Sequence, residues 1–259
     1  MSELVASRAP AAIDSRLVEL RRVAIVPALN EAHTVGRVIA EIRAFDPGLD
    51  IVVVDDGSVD GTSAVATTAG ARVLRLPFNI GIGGAVQTGF RFAFENDYDV
   101  AVRLDGDGQH DPAQLRVVLE PVLAGRADIA VGSRFASDHR GGYRSSRSRR
   151  LGIRLLAWVV SRIAGQRVTD TTSGFQALNR QAIELFARDY PHDYPEVEAT
   201  VMVFRHRLRL LEVQVQMRER GGGQSSITAL RSVYYMVKVL LALFVGLFRR
   251  DVIPREGAE

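Results

Sequence analysis

The first half of the chain alternates apolar runs with segments of helical periodicity. The runs RRVAIVPAL, DIVVVDDGS and YDVAVRLDGDG are separated by helical patterns such as VGRVIAEIRAF. Strands that are apolar throughout are buried on both faces, and the helices between them provide the cover. The sequence therefore predicts an α/β fold with a mostly parallel sheet and helices on both of its faces.

Polar residues follow three of these predicted strands. The first run ends in ALNE and the second in DDGS; the third, ARVLRLPF, lacks such an ending, and the fourth, YDVAVRLDGDG, ends in DGDGQ. Open parallel sheets bind ligands beyond the carboxyl ends of their strands, so these three segments are expected to meet in one site. The chain has 259 residues and 47% hydrophobic content, which is enough for the full core of an enzyme-sized domain.

Asp105 and Asp107 lie two residues apart at the end of the fourth apolar run. Alternate residues of a strand point the same way, so the two carboxylates are expected to converge, with Gly106 and Gly108 allowing close backbone approach. Converging carboxylates need a cation between them, and Mg²⁺ or Mn²⁺ takes one or two carboxylates together with water and substrate phosphates. The pattern predicts a metal–diphosphate site, and a plain Asp-Gly turn is the alternative.

The second half of the chain has a different pattern. The arginine-rich loop SDHRGGYRSSRSRR leads into the apolar helix LGIRLLAWVVSRIAG and then into VTDTTSGFQALNR, which is interpreted as a turn. A further helix, the alternating strand RLLEVQVQM and the glycine hinge RERGGGQSSI follow. Between Arg134 and Arg154 lie seven arginines against the single acid Asp138, and this local excess predicts an anionic partner.

Apolar residues at three- and four-residue spacing predict an amphipathic helix over 227–250. The ten residues between Lys238 and Arg249 are its uninterrupted apolar stretch, about 15 Å of helix and about half of a bilayer core. With basic residues at both ends, this helix is expected to lie in a membrane interface, and packing on the core is the alternative. The predicted organisation is an N-terminal extension at 1–20, a catalytic domain at 21–226, the helix at 227–250 and a tail at 251–259.

Composition removes several classes of site. The chain contains no cysteine, which excludes disulfides, thiolate zinc sites and cysteine nucleophiles. The N-terminal segment mixes acids with apolar residues and has no apolar core of signal-peptide length, so the catalytic part is expected in the cytoplasm. The arginine-rich loop lacks the interleaved aromatic residues that stack on bases, which makes a nucleic-acid-binding protein the less favoured alternative.

Seven segments, in order along the chain, resemble the family-2 glycosyltransferases of GT-A fold, and within them the polyprenyl-phosphate (dolichyl-phosphate-type) sugar synthases. The resemblance covers about residues 22–226. The segments are VAIVPALNE, IVVVDDGSVDGT, NIGIGGAVQTG, RLDGDGQHDP, VGSRF, TDTTSGFQALNR and RERGGGQSS.

This resemblance implies a nucleotide site and a metal site. It implies that Asp55 or Asp56 holds the base, that Gly81 belongs to a nucleotide-binding loop, and that Arg220 clamps the diphosphate. The base and ribose pocket would be lined by Pro27, Ala28, Asn30 and Glu31. The metal ligands would be Asp105, Asp107 and Gln109, and the cofactor Mg²⁺ or Mn²⁺.

The resemblance also implies a lipid phosphate as acceptor, held by Arg134 and Arg149. An ionised phosphate is already a nucleophile, whereas a hydroxyl acceptor on a saccharide or protein needs a general base, for which Glu196 and Glu198 are the candidates. The expected activity is inverting transfer of a sugar from a UDP- or GDP-sugar to polyprenyl phosphate at the cytoplasmic membrane face. Transfer to a hydroxyl is the alternative. A small membrane protein or a second copy on the C-terminal helix are further candidate partners.

Overall fold

The computed structural model describes residues 20–134, 158–162, 168–192 and 195–218. A mixed sheet and its flanking helices make up this part of the chain. The strands are β1 (Arg22–Ala28), β2 (Asp50–Asp55), β3 (Arg72–Arg75), β4 (Val100–Arg103), β5 (Ile129–Ser133), β6 (Gln176–Asn179) and β7 (Leu210–Gln214). The α-helices are α1 (Val35–Phe45), α2 (Thr62–Thr68), α3 (Ile82–Glu95), α4 (Leu115–Leu123), α5 (Arg180–Arg188) and α6 (Pro195–Arg205).

The strands lie in the order β3-β2-β1-β4-β6-β5-β7. β6 runs antiparallel to its neighbours β4 and β5, and the other recorded strand pairs are parallel. The chain moves outward from β1 to β3 and then returns to place β4 on the other side of β1, so the connections leave a crevice between the carboxyl ends of β1 and β4. The predicted α/β fold with a mostly parallel sheet is confirmed.

Each face of the sheet carries its own apolar core. On one face, Val23 and Ile25 of β1 pack with residues of α3 and α5. On the other face, Ala24 and Val26 pack with residues of α1 and α4. This alternation follows from the two-residue period of a strand, and it explains why the central strands are apolar throughout. The predicted helices on both faces are therefore confirmed.

The interpretation of VTDTTSGFQALNR as a turn is wrong over its second half. Residues Gln176–Asn179 form β6, whose Ala177 and Leu178 are fully buried between β4 and β5. The strand is only four residues long and follows a run of turn-forming residues, so its own sequence has too few positions to show a strand period. Its pairing with two strands that are distant in sequence determines its conformation.

The fourth strand ends earlier than the sequence predicted. β4 stops at Arg103, which lies opposite Ile25 of β1, so Asp105 and Asp107 belong to the loop that follows. None of the helices within the described residues combines the length and the apolar character needed to cross a bilayer. The predicted amphipathic helix at 227–250 lies outside the described residues and stays a prediction, as do the domain boundaries.

Candidate active site

A cleft of about 310 Å³ opens at the carboxyl ends of β1 and β4. Most of the predicted nucleotide and metal residues line it, whereas Asn30, Asp55 and Gln109 are not among its lining residues. The predicted residues in its wall are Pro27, Ala28, Glu31, Asp56, Gly81, Asp105 and Asp107. The wall is completed by Leu29, Asn79, Ile82, Ala85 and Gly106.

Asn30 joins the loop after β1 to the loop after β2. Its backbone N–H donates to Ser58 Oγ at 2.9 Å, and its Oδ1 accepts from the Val59 N–H at 3.0 Å. The residue has a φ of 56°, a left-handed conformation that Asn tolerates better than most side chains. Next to it, the Glu31 N–H donates to Thr62 Oγ1 at 2.9 Å, which fixes the backbone of Glu31 at the cleft wall.

The two acids after β2 have different surroundings. Asp55 is 1% exposed, and its carboxylate accepts hydrogen bonds from the Ser58 N–H and the Ser63 hydroxyl. Asp56 lines the cleft and accepts from the N–H groups of Ile80, at 2.8 Å, and Gly81, at 3.1 Å. Asp56 therefore holds the glycine loop at the start of α3 from a position in the cleft wall. Of the two predicted base ligands, Asp56 is the one that lines the cleft.

Residues 104–111 follow β4 and are called the metal-site loop because they include the predicted metal ligands. This loop continues along β1 beyond the end of β4. The Leu104 N–H donates to Ile25 O and the Gly106 N–H to Pro27 O, both at 3.1 Å. A Cβ on Gly106 would lie 3.1 Å from Cβ of Ala28, so a side chain at this position would have to displace Ala28 by a few tenths of an ångström. The loop thus brings Asp105 and Asp107 to the cleft although neither residue is in the strand.

His110 holds the backbone of the metal-site loop at Asp105. Its ring is buried, stacks on Phe175 at 5.2 Å between centroids, and accepts at Nδ1 from the Asp105 N–H at 2.9 Å. Burial, and also the charges of Arg103 and Arg134, lower the pKa of His110 against the opposing effect of the nearby carboxylates. A neutral ring with an acceptor at Nδ1 fixes the backbone of Asp105. This role could not be predicted from the sequence, because Phe175 is distant from His110 along the chain.

The donors at the cleft fit a hard divalent cation. Asp105 and Asp107 supply carboxylate oxygens, and the Asp107 carboxylate accepts from the Gln109 N–H at 3.0 Å, which shapes the turn between them. Within the described ranges, no group of three or more His, Cys, Asp or Glu residues that could hold a metal ion is present. Two carboxylates leave room for water and phosphate oxygens, and Mg²⁺ and Mn²⁺ accept such a mixed set of ligands.

Arg218 fastens the end of the metal-site loop. Its N–H donates to Gln109 O at 2.9 Å, and its guanidinium donates to Asp111 at 2.7 Å and to Glu41 at 2.6 Å. An adjacent bridge pairs His110 with Met217. The segment that leads to Arg220 is therefore attached to the loop that carries the predicted metal ligands. Arg220 itself lies outside the described residues, and its predicted role stays a prediction.

A buried arginine that the sequence analysis did not identify lies behind Asp105. Arg103 is 1% exposed, and its Nη2 lies 2.9 Å from Oε1 of Glu196 and 3.5 Å from Oδ1 of Asp105. Its Nη1 donates to the Tyr190 hydroxyl at 3.3 Å, and burial raises the pKa of that hydroxyl, so Tyr190 stays a neutral phenol. Glu196, one of the two candidate bases, therefore belongs to an ion pair.

Arg134 follows β5 and is held by a buried acid. Its Nε and Nη2 donate to the two carboxylate oxygens of Asp170 at 2.8 and 2.9 Å, and Nη2 also donates to Thr172 Oγ1 at 2.7 Å. Burial raises the pKa of Asp170, but the hydrogen bonds and charge of Arg134 outweigh it, so the pKa is lowered. The guanidinium plane is thus fixed. Arg149, the second predicted phosphate ligand, lies outside the described residues.

Comparisons with known proteins identify the family of this chain. A family model described as glycosyl transferase family 2 matches residues 23–186, more than half of the chain. An undecaprenyl-phosphate mannosyltransferase from Micrococcus luteus is 32% identical over 222 residues, which are 81% of this chain and 88% of that protein. A polyprenol monophosphomannose synthase from Mycolicibacterium smegmatis is 31% identical over 229 residues, 85% of each chain.

Solved structures share the fold. Glucosyl-3-phosphoglycerate synthase from Mycobacterium tuberculosis, in complex with Mn²⁺, uridine diphosphate and glucosyl-3-phosphoglycerate, aligns with a TM-score of 0.71 at 22% identity. The alignment covers 97% of this chain and 88% of that one. The predicted GT-A fold is confirmed by this likeness together with the sheet order. The chain therefore belongs to glycosyl transferase family 2 and is a glycosyltransferase.

Proposed function

We propose that this glycosyltransferase moves a sugar, with inversion, from a UDP- or GDP-sugar to a polyprenyl phosphate. The observation that carries the proposal is the fixed guanidinium of Arg134 after β5. Asp170 and Thr172 hold its plane through Nε and Nη2, which gives a positive charge of fixed orientation for a phosphate. The ion pair with Arg103 makes Glu196 a poor general base for a hydroxyl acceptor. The names of the M. luteus and M. smegmatis relatives support the same acceptor class.

The donor occupies the cleft in this proposal. Asp56 and Glu31 face the nucleoside, and Asp105, Asp107 and Gln109 would hold Mg²⁺ or Mn²⁺ against the diphosphate. When bound, the divalent ion neutralises charge that develops on the departing diphosphate. The protein then needs no acid to protonate the leaving group. Arg220 is proposed to contact the same diphosphate.

The acceptor phosphate is proposed to bind Arg134 and Arg149. A phosphate oxygen attacks the anomeric carbon, the bond from that carbon to the diphosphate oxygen breaks, and its electron pair leaves with the nucleoside diphosphate. No proton has to be removed, because the attacking oxygen is already ionised at neutral pH. A guanidinium held in one plane places a fixed positive charge against such a group and orients it for in-line attack.

Membrane association follows from this acceptor. We propose that the chain acts peripherally at the cytoplasmic membrane face, with the helix at 227–250 lying in the interface next to the lipid substrate. A polyprenyl chain stays in the bilayer, so the enzyme must bring its cleft to the head-group level. A vesicle-flotation assay with the full chain and a chain that ends at Ser226 tests this part separately.

A single assay tests the acceptor class. The purified full-length enzyme is incubated with Mn²⁺, undecaprenyl phosphate and each of a panel of radiolabelled UDP- and GDP-sugars, and the lipid extract is counted. The proposal expects label in the lipid extract with at least one donor and none with the Asp107→Ala variant. A parallel mixture also contains a saccharide acceptor; label that appears only in this water-soluble saccharide would contradict the proposal and would favour Glu198 as a general base.

A further inference from the structure

We propose that Arg103 and Glu196 are positioning residues for the metal site: Glu196 supplies the counter-charge that stops the buried Arg103 from drawing Asp105 away from the cleft. The proposal rests on the metal site proposed above. In this proposal Glu196 positions Arg103 and does not transfer a proton. The proposal also explains why the guanidinium of Arg103 is buried behind two carboxylates that are expected to bind a metal.

One nitrogen of Arg103 serves two carboxylates. Nη2 lies 2.9 Å from Glu196 and 3.5 Å from Asp105. The first distance is that of a charge-assisted hydrogen bond, and the second is longer than a normal one. The ion pair with Glu196 is therefore the stronger of the two contacts. Asp105, whose side chain is 34% exposed, keeps its position in the cleft wall.

The guanidinium of Arg103 cannot move away from this position. A Cβ on Gly174 would lie only 2.8 Å from Nη2, so the backbone at Gly174 lies directly against the group. Tyr190 contacts Nη1 on another side. Glu196 approaches from the first turn of α6, where the helix dipole favours a carboxylate. The positive charge is thus held in place, and what can change is its distance to each of the two carboxylates, Glu196 and Asp105.

Removing the charge of Glu196 would have two effects. The buried guanidinium would be left with Asp105 as its nearest carboxylate, and an under-compensated buried cation attracts such a group strongly. The local charge would also fall. Three carboxylates and one guanidinium carry two net negative charges, and Gln at position 196 leaves one. Both effects weaken the binding of a divalent cation at Asp105 and Asp107.

The test measures binding of Mn²⁺ alone to the full-length protein, from the electron paramagnetic resonance signal of the unbound ion. Glu196→Gln should weaken Mn²⁺ affinity about tenfold, since the local charge falls by one. The double variant Arg103→Gln/Glu196→Gln restores the local charge and should bind Mn²⁺ within about threefold of wild type. Asp128→Asn, which breaks the ion pair with Arg209 at the opposite end of β5, is the matched control and should leave the affinity unchanged.

The outcomes separate the two proposals. Normal Mn²⁺ affinity in Glu196→Gln, or a double variant that binds no better than Glu196→Gln, overturns the role of this ion pair while the metal site stands. Loss of binding in Asp107→Ala with wild-type binding intact supports the metal site itself. Wild type that fails to bind Mn²⁺ overturns both. Restoration in the double variant could not arise from a merely structural ion pair, because the double variant lacks that pair entirely.

Discussion

The donor side and the acceptor side of the cleft are held together by different kinds of contact. On the proposed donor side, Asn30 and Asp56 form hydrogen bonds between backbone and side chain, and Gly106 forms a backbone hydrogen bond to Pro27, across the ends of adjacent parallel strands. On the proposed acceptor side, an ion pair joins Arg134 to Asp170, and behind Asp105 a second buried ion pair joins Arg103 to Glu196; the partners of each pair are far apart in the sequence. Backbone hydrogen bonds tolerate conservative side-chain changes, whereas a buried ion pair penalises the loss of either partner.

Asp107→Ala should cause the largest effect and is confined to the donor side. We expect turnover to fall by about 10³-fold or more, since a carboxylate of the metal site is lost, with little change in stability at a loop position. Activity is measured with the labelled donor, and circular dichroism checks the fold. Full activity of the wild-type enzyme in EDTA would remove the reason for a metal site here.

Arg134→Lys addresses the acceptor side alone. The variant keeps the charge opposite Asp170 but loses the planar fork, so kcat/KM for polyprenyl phosphate should fall roughly 10- to 100-fold while donor affinity is unchanged. Glu198→Gln is the companion variant and should cost less than about threefold, because no proton is removed. The reverse ranking, a large loss in Glu198→Gln with a silent Arg134→Lys, would favour a hydroxyl acceptor.

Asp56→Asn sharpens the donor-side half of the comparison. The amide has one acceptor oxygen where the carboxylate has two, so the N–H groups of Ile80 and Gly81 cannot both be satisfied as before. We expect donor affinity, measured by calorimetry, to fall about five- to tenfold, with the KM for the acceptor unaffected. An acceptor KM that rises in parallel would mean that the two sides are coupled.

Asp128→Asn should have the smallest effect and asks whether an ion pair far from the cleft matters to stability alone. Hydrogen bonds from Arg209 lower the pKa of Asp128, so this contribution is present at neutral pH and is lost as the pH falls below the ordinary value near 3.8. The midpoint of thermal unfolding should drop by about 2–4 °C at pH 7, with unchanged activity. The difference from wild type should shrink near pH 3.

The donor side could largely be predicted from the sequence, because its groups follow strands that are adjacent in a parallel sheet. The alternation of apolar runs predicted those strands, and the sheet geometry brings Ala28, Asp56 and Asp105 to one edge. The choice between Asp55 and Asp56 could not be predicted, since it depends on which way the chain turns after β2.

The buried contacts behind the cleft were much less predictable, and distance along the chain is the reason. In the sequence, Arg103 is one more residue of an apolar strand. No neighbouring residue in the sequence indicates that Glu196 and Gly174 contact it. β6 was missed for the same cause, because its neighbours β4 and β5 define it. Sequence patterns report local periodicity, whereas buried polar contacts report the tertiary fold.

The residues that contact His110 are synthesised after the metal-site loop itself. Asp105, Asp107 and His110 leave the ribosome before Phe175, the ring on which His110 stacks, and Met217 and Arg218 emerge later still. A nascent chain that already carries both acids therefore lacks the contacts that fix their loop. Insertion of β6 between β4 and β5 joins two groups of strands into one sheet. We therefore expect each chain to bind the donor only after these later segments have been synthesised and have folded.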